Sequence, residues 1–240
     1  MTRFFVSIIA IVSILTLFSS CKKMVGSGPT VSETRNHSGF SGVDLSINAT
    51  VNITQDNTYS VEVIAQQNIL DILRTHVDGS TLCIGYEKPN LFVKATKDII
   101  INIHMPAVNS LDVSGSGEVN GINAFTASSC SMNVSGSGDI SLNSLEAQSI
   151  DSKISGSGNV TIHAGSSNTL DSKISGSGDM DLINVVAKDV ETTTSGSGKT
   201  KVHATQNLDV QISGSGNVYY RGTPSVNTSI SGSGKLIHQN

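Results

Sequence analysis

The sequence Ser-Gly-Ser-Gly occurs seven times, opening at Ser114, Ser135, Ser155, Ser175, Ser195, Ser213 and Ser231, at spacings of 21, 20, 20, 20, 18 and 18 residues. A period of this size is the signature of a solenoid. A Gly/Ser linker would have polar neighbours on both sides. Here the residue before each motif is Val113, Val134, Ile154, Ile174, Thr194, Ile212 or Ile230, β-branched every time. The fifth residue after each opening Ser forms a second, mostly apolar column: Val119, Ile140, Val160, Met180, Thr200, Val218 and Leu236. Two apolar columns flanking a glycine corner define a coil. Alternation such as Leu208-x-Val210-x-Ile212 turns every second side chain inward, and glycine permits the positive φ or tight bend of a corner. Successive coils then pair as parallel strands about 4.8 Å apart. The expected fold is all-β: a right-handed parallel β-solenoid of about seven 18–21-residue coils over residues 111–240, with a β-rich N-terminal head.

A coil cannot bury its apolar side alone, so an array needs caps. Residues 35–110 are expected to supply the N-terminal one. Within them Asp44 to Val51 has the shape of Asp112 to Val119 with the glycines lost, a degenerate first coil. Period-two alternation marks strands in Tyr59–Val63, Leu82–Tyr86 and Ile99–Ile103, with Gln55-Asp56-Asn57 and Asp78-Gly79 as turns. Asn68 to Thr75 reads as a helix, with Asn68 as N-cap and Ile69, Leu70, Ile72 and Leu73 as its apolar side. The last coil is incomplete and ends in His238, Gln239 and Asn240, a short polar edge expected to resist further pairing.

The first residues read as a processing signal. Arg3 gives a positive start, and Phe4 to Phe18 form an apolar stretch shorter than the roughly 20 residues of a stable bilayer span. It ends in Leu17-Phe18-Ser19-Ser20-Cys21, which resembles the lipobox of bacterial lipoproteins. The resemblance implies a signal peptide over 1–20, lipidation of Cys21, and a lipidated N-terminus and linker over 21–34, so that the partner of this end is a membrane. No Asp follows the cysteine, which implies the outer membrane. Neither does an acidic run follow, which tilts the expectation from the cell surface towards the periplasmic face.

Composition narrows the chemistry. A net charge of -4 with dispersed Lys and Arg offers no basic stripe, so nucleic-acid binding is not expected. No cofactor, nucleophile elbow, phosphate loop or CxxC motif is visible, and the six histidines lack metal-ligand spacing. Cys83 and Cys130 remain beyond Cys21. Cys130 falls in an apolar repeat column and is expected as a buried thiol, with a Cys83–Cys130 disulfide as the alternative. Four residues before the opening Ser, consecutive coils carry Asp151, Asp171, Glu191 and Asp209. Charges 4.8 Å apart repel by about 0.9 kcal/mol in water. Lys153 and Lys173 can offset the first two, whereas Thr193 and Gln211 leave Glu191 and Asp209 uncompensated. This ladder is the candidate site for a cationic ligand or weakly held Ca²⁺, set against a solvated face. Glu118, Asp139, Asn159, Asp179 and Asn217 follow the glycine corners, and turn-forming Asx chemistry is the expected role of this column. Thr194 and Thr200 put hydroxyls in both core columns of one coil, expected to be its least stable or a hydrated turn.

The run Ser38-Gly39-Phe40-Ser41-Gly42-Val43-Asp44-Leu45, then Ile53-Thr54-Gln55, Leu82-x-Ile84 and Ile101-x-Ile103-x-Met105-Pro106, leading into serial Ser-Gly-Ser-Gly-Asp/Asn-Val coils, resembles the putative auto-transporter adhesin, head GIN domain family. That resemblance covers nearly all of residues 35–240. It implies a β-solenoid lipoprotein of Bacteroidetes-type bacteria with an adhesive role and no catalytic residues to carry over. The expected function is a non-catalytic cell-envelope module, adhesive or structural, that binds a glycan or an envelope protein. A carbohydrate-active β-helix enzyme is the alternative; it would need convergent carboxylates and aromatic platforms, and the chain has no Trp and four Tyr. A scaffold assembling through its coil ends is the third reading.

Overall fold

The computed structural model describes residues 23–88 and 91–239; the expected signal peptide and Cys21 lie outside them. The N-terminal part runs β1 (Lys23–Val25), β2 (Thr30–Arg35), β3 (Gly42–Leu45), β4 (Thr50–Gln55), β5 (Ser60–Gln66), α1 (Gln67–Leu70), β6 (Leu73–Asp78), β7 (Thr81–Tyr86), β8 (Phe92–Lys94) and β9 (Ile100–Met105). The repeats give β10 (Ser110–Val113), β11 (Glu118–Val134), β12 (Asp139–Ile154), β13 (Asn159–Ile162), β14 (Gly165–Gly176), β15 (Asp179–Gly196), β16 (Lys199–Gly214), β17 (Asn217–Arg221), β18 (Ser225–Gly232) and β19 (Lys235–His238).

These strands stack as a parallel β-solenoid. One face is the series β7, β3, β10, β11, β12, β14, β15, β16, β18, every neighbouring pair parallel. A second face stacks β9, β4, β11, β12, β13, β15, β16, β17, β19 in the same way. Nine strands at the usual spacing make a rod about 40 Å long. Asp44 pairs with Asp112 and Val51 with Val119, so the glycine-free segment occupies a coil of the same stack. The N-terminal region is therefore continuous with the repeats, not a separate layer packed on them. The stretch expected to be a linker contributes two strands: β1 beside β8, and β2 antiparallel to β5.

The two columns read from the sequence line the interior. Val113, Val134, Ile154, Ile174 and Ile212 on one side, and Val119, Ile140, Val160, Met180 and Val218 on the other, are all buried. Cys130 is buried in the neighbouring column beside Ile150, and burial pushes its thiol up to about 12. Cys83 lies on the outward parity of β7, in register with Asp44 on the same outer face. The two thiols thus point to opposite sides of the wall, and both are free.

The glycines are required chiefly by stacking. A Cβ on Gly158 would run into the carbonyl oxygen of Gly138 below it, and one on Gly138 into that of Gly117. Each corner sits directly on the backbone of the previous corner, leaving no room for a side chain. Positive φ, the reason expected from the sequence, holds for only part of the motif: Gly176, Gly196, Gly214 and Gly232 adopt it, whereas the second glycines do not.

The helix is a single turn, Gln67–Leu70, following Gln66, and no side chain caps it. Asn68 instead ties down the N-terminal strand, accepting from the Ser27 N–H at 3.0 Å and donating to the Val25 carbonyl at 2.8 Å. Leu73 onward forms β6, which makes a hairpin with β7 through Asp78-Gly79-Ser80. The far end has two edges: β19, Lys235–His238, is short as expected, whereas β18 is eight residues long, exposed throughout, and presents Val226 and Ile230.

Candidate binding surface

Strand alternation turns the carboxylate ladder outward, and the parallel register stacks it. Asp151 stands beside Asp171, Asp171 beside Glu191, and Glu191 beside Asp209. The column closes on Asn227, whose side-chain amide donates to Asp209 at 2.9 Å, so the end expected to be uncompensated carries a neutral donor. Lys153 and Lys173 stack on each other two residues along. Among the described residues neither is within ion-pair distance of the ladder. Burial, then Asp151 and Glu191, push the Asp171 carboxyl above the usual aspartate range, with Lys173 opposing.

A second polar column, Ser149, Thr169, Asp189 and Asn207, runs two residues earlier, and Asn207 donates to Asp189 at 2.6 Å. The two columns border a depression of about 390 Å³. Among the described residues no group of three or more His, Cys, Asp or Glu is arranged to hold a metal ion. The register gives the reason: a straight column sets carboxylates side by side and aims them outward, whereas Ca²⁺ needs 6–8 oxygens converging on one point.

The residues after the glycine corners do something other than turn locally. The Asp139 carboxylate accepts from the Asn159 N–H at 2.9 Å, the Asn159 side chain from the Asp179 N–H at 3.3 Å, and Asp179 from the Lys199 N–H at 2.8 Å. Each Asx side chain clamps the backbone of the next coil, because the period places that N–H directly over it. Asp181 and Lys201 add an ion pair across the same two coils at 2.5 Å.

A larger concavity lies elsewhere, a groove of about 760 Å³ running along the rod across β11, β12, β14 and β15 to Thr205 of β16. Its floor is the in-register column Ala127, Ala147, Ser167 and Ala187. Small residues there let the wall recede. Ser128, Gln148, Asn168 and Lys188 form one bank, Thr126, Glu146, Ser166 and the exposed Val186 the other, and no aromatic residue lines it. Sequence reasoning misses this groove. Its signal is an Ala/Ser column in register with the motif, and nothing in composition distinguishes that column from ordinary Ala and Ser content.

The arrangement nearest to an acid–base constellation is in the N-terminal part. Asp56 accepts from the Thr58 hydroxyl at 2.6 Å and contacts His104 Nδ1 at 2.5 Å. Those bonds, Thr58 first and then His104, hold the Asp56 carboxyl down at about 2. A nucleophilic triad needs the imidazole between hydroxyl and carboxylate. Here the carboxylate lies in the middle, so the histidine does not activate the hydroxyl.

A family model described as putative auto-transporter adhesin, head GIN domain matches residues 39–224. The chain belongs to this family. The match runs from just before β3 to just past the end of β17 and so spans N-terminal strands and six of the seven Ser-Gly-Ser-Gly motifs, in keeping with their common stack. Solved structures share this fold at low identity. A putative adhesin of Bacteroides fragilis is 22% identical with a TM-score of 0.83, over 90% of this chain and 100% of that one. A putative adhesin of Parabacteroides merdae is 18% identical with a TM-score of 0.77, over 91% and 100%. A putative lipid binding protein of Parabacteroides distasonis is 23% identical with a TM-score of 0.75, again over 91% and 100%. No curated protein matches the chain.

Proposed function

We propose that the chain is a non-catalytic binding module of the cell envelope, held at the outer membrane through lipidated Cys21, whose coil groove receives an extended polar polymer, a glycan in the first instance. The observation that carries this reading is the groove itself. It is open, runs along the stacking axis, and repeats its polar bank once per coil at about 4.8 Å. Such a surface suits a chain-like ligand gripped by several weak contacts in series. Membership of a family described as an adhesin head supports the reading. A lipid ligand, suggested for the Parabacteroides distasonis protein by its name, would find an apolar strip in the alanine floor and Val186, but the bank of Gln148, Asn168 and Lys188 with Glu146 opposite favours a polar chain.

A glycan array probed with the purified chain tests the binding reading, and assay of the same preparation for polysaccharide turnover tests its non-catalytic part. Selective retention without cleavage is expected. Cleavage of any ligand would move the function to a carbohydrate-active enzyme, and retention of an envelope protein in place of glycans would replace the ligand class. The anchor is tested separately: incorporation of a labelled fatty acid is expected in the wild type and lost in Cys21→Ser.

A further inference from the structure

The two ends of the rod are built differently. At the N-terminal end the coils are covered by antiparallel strands, β6 along β7 and β5 with β2 along β9. These covering strands carry charge at Arg74, Asp78, Glu33 and Arg35. At the other end β18 pairs with β16 on one edge, and among the described residues nothing pairs with the other. Val226 and Ile230 stand in register with Leu208 and Ile212, which are 0% and 2% exposed, yet they are themselves 40% and 43% exposed. They occupy core columns with no coil over them. No residue of β18 is charged, so the edge lacks the Lys or Glu that usually repels a further strand.

The strand Ser225-Val226-Asn227-Thr228-Ser229-Ile230-Ser231 also has nearly the same pattern in both directions about Thr228. Directly opposed residues of an antiparallel pair point to the same side. A two-fold axis at Thr228 therefore sets Val226 against Ile230 of a second copy, twice, on the core side, with Thr228, which stands in register with buried Val210, meeting its own copy between them. Asn227 meets Ser229 outside. We propose that this end docks a second copy of the chain, β18 antiparallel to β18, forming a tail-to-tail dimer with the N-terminal ends at opposite poles. The contact is isologous and closes on itself. Head-to-tail stacking into filaments is opposed by the charged antiparallel cover at the N-terminal end.

The test is light scattering of the full chain, purified in mild detergent, across a dilution series. It is paired with Thr228→Lys, which puts two like charges on the axis, and with Thr228→Cys in a Cys83→Ser background. Directly opposed Cα atoms lie about 4.5–5.5 Å apart, within disulfide reach. The expected results are a dimer that dissociates on dilution and loss of the dimer in Thr228→Lys, whose monomer keeps the wild-type β-sheet circular dichroism because Thr228 is exposed at the uncovered end of its column. Thr228→Cys should give an oxidised covalent dimer, and Gln211→Cys, on the outer face one coil below Ser229, should give none. A monomer at every concentration, a dimer indifferent to Thr228→Lys, or absence of the Thr228→Cys cross-link each overturns the proposal.

Discussion

Inside the rod, hydroxyls are handled in two ways. Thr194 and Thr200 are fully buried in opposite core columns, but their hydroxyls meet at 3.3 Å, so this coil needs no water. A second column, Ser152, Ser172 and Thr192, is equally buried. Ser172 reaches the Glu191 carbonyl at 3.5 Å, whereas Ser152 Oγ and Thr192 Oγ1 have no partner. An unsatisfied buried hydroxyl costs about 1–3 kcal/mol. Isosteric Thr192→Val is therefore expected to raise stability by about 1 kcal/mol in denaturant titration. Thr194→Val is expected to lower it by a similar amount by orphaning Thr200, and the Thr194→Val/Thr200→Val double variant to recover the loss. The first pair is legible in the sequence because the motif fixes its positions. The second is not, since three hydroxyl residues in a Ser-rich chain announce nothing until the parity of each strand is known. On the outer wall, the Asp171 carboxyl is raised, so folding disfavours its charged form. That penalty is fully present above the raised pKa and fades as pH falls through it towards the ordinary aspartate value of about 3.9. Asp171→Asn should accordingly stabilise the fold at pH 7, by up to about 0.5 kcal/mol at so exposed a position. Melting curves at pH 7 and below pH 4 check this: the gain should disappear in acid.

Among elements, the glycine corner sets the geometry on which everything else is stacked. Gly158→Ala forces a Cβ into the Gly138 carbonyl, and the loss should reach the upper end of the overpacking range, about 3 kcal/mol. Gly79 offers a contrast. Its φ is +57° and a Cβ there would meet nothing within 4 Å, so Gly79→Ala carries only the left-handed penalty of about 1–2 kcal/mol. Thermal unfolding of the two variants separates stacking from conformation; equal losses would remove the steric account. The corners are readable as corners, and Asp78-Gly79 as a turn. The helical reading extends too far because Ile69, Leu70, Ile72 and Leu73 satisfy a helical stripe, while Leu73-x-Thr75-x-Val77 satisfies strand alternation equally well. Pairing with β7 decides in favour of the strand. Likewise the Asx residues read as turn formers, and only the stacked register reveals them as clamps between coils.

For the whole molecule, the repeat period determines a rod, and the rod determines which side chains form rows. The repeat makes the carboxylate row at Asp151, Asp171, Glu191 and Asp209 visible in advance, but not that its members stand side by side without forming a metal-holding group, which depends on the register between coils. The groove is the reverse case: its small-residue floor sits where the wall recedes, a property of cross-section that no single coil sequence contains. Binding along that groove is the central functional claim. Its most direct measurement is calorimetric titration, against the strongest ligand of the glycan array, of the wild type and of Ala147→Trp, which fills the floor at a partly exposed position. The account predicts that the variant keeps its melting temperature and loses about tenfold or more in affinity, roughly 1.4 kcal/mol; unchanged affinity in a folded Ala147→Trp protein would contradict it.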